Sequence, residues 1–185
     1  MSVISFFEKK IIISEFDDLK KANLCVALTT KLEGNLEHFC SYFNLPTLQP
    51  HKKNLVLDVL TNVTQKVNLK GLELLARVTF RDILRDPDAI QRQDAIIKIP
   101  MILFFQRLLC TLPHEMVREE MVTSYLSALT QMTSLDAAMR QTVEYAMHKL
   151  MTALEGVTIT KEIHSTIVDT RSWLWSLQNL TNLNL

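Results

Sequence analysis

Cys25-Val26-Ala27-Leu28-Thr29-Thr30-Lys31-Leu32-Glu33-Gly34-Asn35-Leu36-Glu37-His38-Phe39-Cys40-Ser41-Tyr42-Phe43 places apolar side chains at 25, 28, 32, 36, 39 and 43, each three or four positions after the last. That spacing draws one apolar stripe along a helix. The stretch also holds one of only three glycines in 185 residues, and the chain has no Asn-Gly, Asp-Gly or Gly-Gly pair to close a tight β-hairpin. The fold class is therefore all-α. The stripe predicts one long helix bent near Gly34. Ser14, whose hydroxyl can accept from early backbone N–H groups, starts it, and it ends before Pro46 and Pro50. Ile11, Ile12 and Ile13 ahead of it suit either an extended arm or, with Phe6 and Phe7, a short packed helix.

Working outward, Asn44 to His51 is the best internal boundary. It divides an N-terminal helical segment, 1–50, from a repeat-like region, 51–185, the two packed as one domain. Val56, Val59, Leu60, Val63 and Val67 define a second amphipathic helix, and Leu72, Leu75, Ala76 and Ile83 a third. Asp86-Pro87-Asp88 breaks the chain. A fourth helix is expected from Ala89 to Leu112, kinked or restarted at Pro100, which lacks the N–H that helix continuity needs. A fifth covers 113–133 with Pro113 in its first turn. The sixth is capped by Ser134 or Asp136, carries Met139, Val143, Met147, Leu150 and Leu154, and stops at Gly156. The seventh contains Ile163, Ile167, Leu174 and Leu177. Short connections make sequential helices antiparallel neighbours.

Forty-eight per cent hydrophobic residues over this length are enough for one continuous core. Twenty basic and twenty acidic residues cancel, so whole-chain charge draws the protein neither to nucleic acid nor to an anionic membrane. Residues 51–100 nevertheless carry a net +3. The start of the chain has Glu8, Glu15, Asp17 and Asp18 among its lysines and reads as neither a secretory nor a transit peptide, and no apolar run has transmembrane length. Cys25, Cys40 and Cys110 are odd in number and sit among apolar residues, which suits buried thiols in the cytoplasm or nucleus.

Asp86-Pro87-Asp88-Ala89-Ile90-Gln91-Arg92-Gln93-Asp94-Ala95 resembles the segment of HEAT repeats in which an Asp-Pro turn precedes a helix with an early arginine. Val117-Arg118 and Met139-Arg140 open the next two helices in the same way. In that family the partner looked for is an Asp of an adjacent turn, giving a ladder between stacked units. The resemblance covers at most residues 52–155 and implies that the chain is an irregular HEAT or armadillo-like antiparallel stack of about six or seven helices. The three arginines advance in steps of 26 and 22, one helix each, whereas repeats of this class take about 40 residues per helical pair. A compact helical bundle stays open as the alternative.

Three features are candidate sites. Arg77, Arg81 and Arg85 are four apart and project from nearly one helix face, where they can grip an acidic protein segment or simply form a solvated face beside Glu73, Asp82 and Asp86. Seven of eight methionines lie from Met101 to Met151, and Met116 and Met121 would line a groove for apolar partners if exposed together; otherwise they fill the core. Trp173 and Trp175, two apart, cannot share one narrow face, so one points away from the local core, and the tail through Leu177, Leu180 and Leu183 needs cover, by self-packing or a homodimer. For catalysis, Glu144 and His148 share a face, but no Glu-x-x-His occurs for a di-iron centre, the other histidines lack zinc spacing, and glycine-rich phosphate loops are missing. The expectation is an interaction domain without cofactor or metal, binding a protein partner, with no membrane or nucleic-acid role.

Overall fold

Gly34 settles how the first stripe folds. The computed structural model describes the backbone of residues 18–132, 136–157 and 161–182, with side chains to Ser176; Ser14, Ile11–Ile13 and Ser134 lie outside it. Gly34 has φ of 80°, with nothing within 4 Å of where a Cβ would stand. The left-handed backbone itself, rather than crowding, asks for glycine. The stripe is consequently two helices, α1 (Asp18–Thr30) and α2 (Leu36–Phe43), where one bent helix was expected.

The remaining elements are α3 (Pro50–Thr64), α4 (Leu69–Asp82), α5 (Ala95–Thr111), a single 3-10 turn (His114–Met116), α6 (Glu119–Thr130), α7 (Ala137–Ala153) and α8 (Lys161–Asn182). The described residues thus form eight α-helices, more than the six or seven expected. Local chemistry sets their ends. Pro50 lies in the first turn of α3, and the side chains of Asn68 and Asp136 accept from the backbone N–H of Gly71 and Met139 to cap α4 and α7. Gly156, at φ 84°, closes the chain after α7.

Two expected starts shift. Residues 87–93 form turns instead of opening a helix at Ala89: Asp86 accepts from the Asp88 backbone N–H at 3.0 Å and from Arg92, while Ala89 and Ile90 are buried beneath. Pro113 leads only the 3-10 turn, and Arg118 becomes the residue before α6.

Pro100 interrupts nothing. α5 runs through it, and its missing N–H leaves the Ile96 carbonyl without the usual donor in the helix. Asn54 of α3 donates to that carbonyl through Nδ2 at 3.1 Å. A side chain from the neighbouring helix does the work of the absent backbone group.

The helices stack in two layers. α1, α3, α5 and α7 pack successively on one another, and α2 packs on α4 and α6 on α8, so extensive contacts skip the next helix in sequence. Sequential neighbours were expected to dominate; only α2 with α3 and α5 with α6 pack appreciably, and each less than any layer pair. Within a layer the helices run the same way. Lys53 donates to Gln93 and Asn54 to Ile96 at the start of α3 and α5, and Thr61, Thr64, Arg107 and Thr111 meet at their far ends. Just past α2, Asn44 donates to the Asp82 carbonyl ending α4 at 2.6 Å; just past α5, the His114 ring donates to the Ala153 carbonyl ending α7 at 3.1 Å.

These bonds carry a period. Cys25–Val59, Lys21–Asp58, Asn44–Asp82, His114–Ala153, Lys53–Gln93, Asn54–Ile96 and Arg81–Glu37 join residues 34, 37, 38, 39, 40, 42 and 44 positions apart. Each separation is one helix pair. Four pairs result: α1–α2, α3–α4, α5–α6 and α7–α8. The arginine steps of 26 and 22 pointed away from such an array because they sample both layers alternately.

One core threads all four pairs, from Leu24 to Leu174. α5 is its centre, with Ile97, Met101, Ile102, Phe104, Phe105, Leu108 and Leu109 buried, as suits a helix covered on nearly every side. The Phe105 ring lies 4.9 Å from Phe80 of α4, 5.0 Å from Phe104 and 6.5 Å from Tyr125 of α6. It joins two outer helices that do not pack extensively on each other.

The Asn54 contact is testable by a double-mutant cycle. Asn54→Ala is expected to cost about 1 kcal/mol in urea unfolding. In a Pro100→Ala background, where the N–H of residue 100 can reach Ile96, the cost is expected to shrink; equal costs in both backgrounds would contradict the assignment.

Candidate functional site

The three stripe arginines part company. Arg81 is held by two carboxylates: Nε lies 2.6 Å and Nη2 2.8 Å from Asp82, and Nη2 lies 3.2 Å from Glu37 of α2. The bonds to Asp82, then Glu37, push its pKa further up. Arg85 Nε stands 3.7 Å from Asp86, whose carboxylate is already gripped by both Arg92 nitrogens at 2.8 and 2.7 Å. That grip holds the Asp86 carboxyl below the usual range. Arg77 is exposed, and among the described residues no carboxylate stands within ion-pair distance of it.

Glu73, one turn before Arg77, faces Arg118 Nη2 at 3.9 Å. With Glu33–Lys70 at 2.9 Å and Glu37–Arg81, this makes a run of pairs across successive outer-layer units. In each pair the carboxylate belongs to the earlier unit. All are exposed, and such pairs contribute about 0–1 kcal/mol each, so they fix register more than stability.

Where α4 and α6 diverge, a groove of about 570 Å³ opens. Leu84, Arg85, Asp86 and Pro87 form one wall, and Thr123, Ser124, Ser127, Glu119, Glu120 and Glu162 the other. Glu119 and Glu120 lie in the first turn of α6 and Glu162 in that of α8, where negative charge complements helix N-termini. The walls differ in charge: Arg85 and Asp86, one cation and one anion, lie on the Leu84–Pro87 side, and three glutamates rim the other. A second groove, of about 630 Å³, runs between Thr29–Glu33 and Lys66–Gly71 with Lys31, Lys66 and Lys70 on its edges. Neither was legible in the sequence, because each joins segments one helix pair apart.

Met101, Met132, Met139 and Met147 are buried, and Met116 and Met121 are half-buried against the core. Met116 and Met121 thus pack against the core and do not stand exposed together. Trp173 packs against the core while Trp175 is 68% exposed, so the pair does face two ways. Trp175 and Leu174 border a smaller groove between α7 and α8, about 260 Å³, with Met147, Met151, Glu144, His148 and Arg171. Leu177, Leu180 and Leu183 lie outside the described side chains.

Among the described residues no three His, Cys, Asp or Glu side chains gather as metal ligands, and no helix is long and apolar enough to cross a membrane. Cys25 and Cys40 are buried and Cys110 half-buried, all free. Burial pushes each thiol up; Gln106, donating to Cys110 Sγ at 3.2 Å, opposes this at Cys110. Tyr125, wholly buried and donating to the Ile102 carbonyl at 2.8 Å, is likewise pushed well up by desolvation. No family model, curated protein or solved structure matches the chain.

These shifts set an alkaline limit. The folded protein keeps its thiol and phenol protons after the unfolded chain begins to lose its own, above about pH 8.5 for thiols. More protons bound in the folded state means stability falls as pH rises. Between pH 7 and 10, Cys40→Ala is expected to lose about 1–2 kcal/mol less than wild type in urea unfolding. Identical losses would show that the Cys40 thiol ionises equally in both states.

Proposed function

We propose that the chain is a non-catalytic interaction scaffold, an irregular HEAT or armadillo-like stack, that holds a segment of a partner protein in the groove between α4 and α6. The observation that carries this reading is the parting of the outer layer over a continuous inner one. It leaves a polar groove with Arg85 beside Asp86 on one wall and three glutamates on the other. Arg85 on its rim and Arg77 on α4, which has no ion pair among the described residues, orient acidic residues of the partner, and Glu119, Glu120 and Glu162 favour cationic ones on the other side.

The kinship with HEAT-type repeats rests on separations of 34 to 44 residues between hydrogen-bonded residues and on parallel layers. Units of that class run about 40–47 residues. Arg118 reaches the preceding unit, but its partner is Glu73 within α4, where an Asp of an adjacent turn was expected. Arg92 departs from the expected ladder, since Asp86 lies within its own turn segment. The free, protonated thiols suit a reducing compartment, cytoplasm or nucleus.

Arg81 belongs to the fold more than to the partner, because reversing it would set a negative charge against Glu37 and Asp82. The test is therefore Arg77→Glu with Arg85→Glu. Circular dichroism should be unchanged, and affinity capture from the native source should lose a partner that wild type retains. Capture of the same proteins in the same amounts by both would contradict this reading.

A further inference from the structure

The last helix pair carries exposed apolar side chains. Of seven large ones exposed among the described residues, Tyr145, Val168 and Trp175 all lie on α7 and α8, the last pair. Val168 and Trp175 are two turns apart, so they share a stripe on α8 with His164 and Arg171. This is not the face that packs on α6: Ile163, Ile167, Thr170 and Leu174 are buried there. The stripe runs into the α7–α8 groove, where Met147, Met151, Leu174 and Trp175 supply the apolar lining.

The groove's polar edge carries both signs, Glu144 from α7 and Arg171 from α8. A patch that meets its own copy across a two-fold axis must be complementary to itself, and an edge with one cation and one anion on opposite walls satisfies that condition. The chain's formal net charge of zero adds no repulsion between copies. Trp and Met beside an Arg also have the composition of an interface centre.

We propose that the α7–α8 end is the interface of a two-fold homodimer, with Trp175 of each copy seated in the other's Met147–Met151 groove and Arg171 facing the other's Glu144. This surface is distinct from the α4–α6 groove and does not rest on it. The dimer would leave that groove open for a partner.

Sedimentation velocity on the full chain from about 1 to about 200 μM tests the proposal. Wild type is expected to pass from monomer to dimer and stop there. Trp175→Ser is expected to weaken association at least about tenfold with unchanged circular dichroism. Should that variant fail to fold, Val168→Glu on the same stripe serves in its place, with the same expectation. A monomer at every concentration overturns the proposal, as does growth beyond a dimer, which signals a head-to-tail contact instead. So does a dimer indifferent to the folded variant. None of these results touches capture by the α4–α6 groove, which Arg77 and Arg85 report separately.

Discussion

Burial of α5 between α3 and α7 is the constraint on which the structure depends. α5 is apolar nearly all round, so it must be covered on several sides, and a stack that places helices of the same layer on both flanks does this. Phe105 extends the demand into the outer layer. Its ring meets Phe80 and Tyr125, which ties α4 and α6 to one inner helix without bringing them against each other. The outer groove is a consequence of that geometry: the inner layer is closed and the outer one is propped apart.

The polar side chains serve register around this apolar frame. Asn54 reaches the carbonyl freed by Pro100, Asn44 reaches the end of α4, and His114 reaches the end of α7. Each aligns one helix pair with the next. The exposed ion pairs repeat the same offset at the surface, committing Arg81, Glu37, Glu73 and Arg118 to the scaffold. What the scaffold leaves uncommitted is Arg77, the rim of the α4–α6 groove and the apolar stripe of α8. The functional proposals fall on these places because structural demands do not consume them.

The all-helical class, the positions of the apolar stripes and the Asp136 and Gly156 ends of α7 were readable from spacing alone, since a 3.6-residue period, an Asp before it and a Gly after it are local signals. The break at Gly34 was half-read: glycine marked the spot, but only the backbone angle separates a bend from two helices. The helix start at Ala95 was missed because the Asp86–Arg92 pair holds residues 87–93 in turns, a preference that periodicity does not carry. Pro100 does not restart the helix, and the Ile96 carbonyl it orphans is satisfied by Asn54 of α3, 42 residues away in sequence. The candidate site divided the same way. Trp173 and Trp175 face apart as two adjacent-but-one helix positions must, whereas the arginine stripe splits by pairing partners drawn from other units, and both large grooves join distant segments.

The account rests on inner-layer helices packing every second element, and methyl-to-methyl nuclear Overhauser contacts in Ile, Leu and Val-labelled protein test it most directly. Cross-peaks between α3 methyls such as Leu60 and Val63 and those of α5, and between α5 and α7, are predicted. A pattern confined to helices adjacent in sequence, with none linking α3 to α5, would describe an up-and-down bundle and contradict the stack.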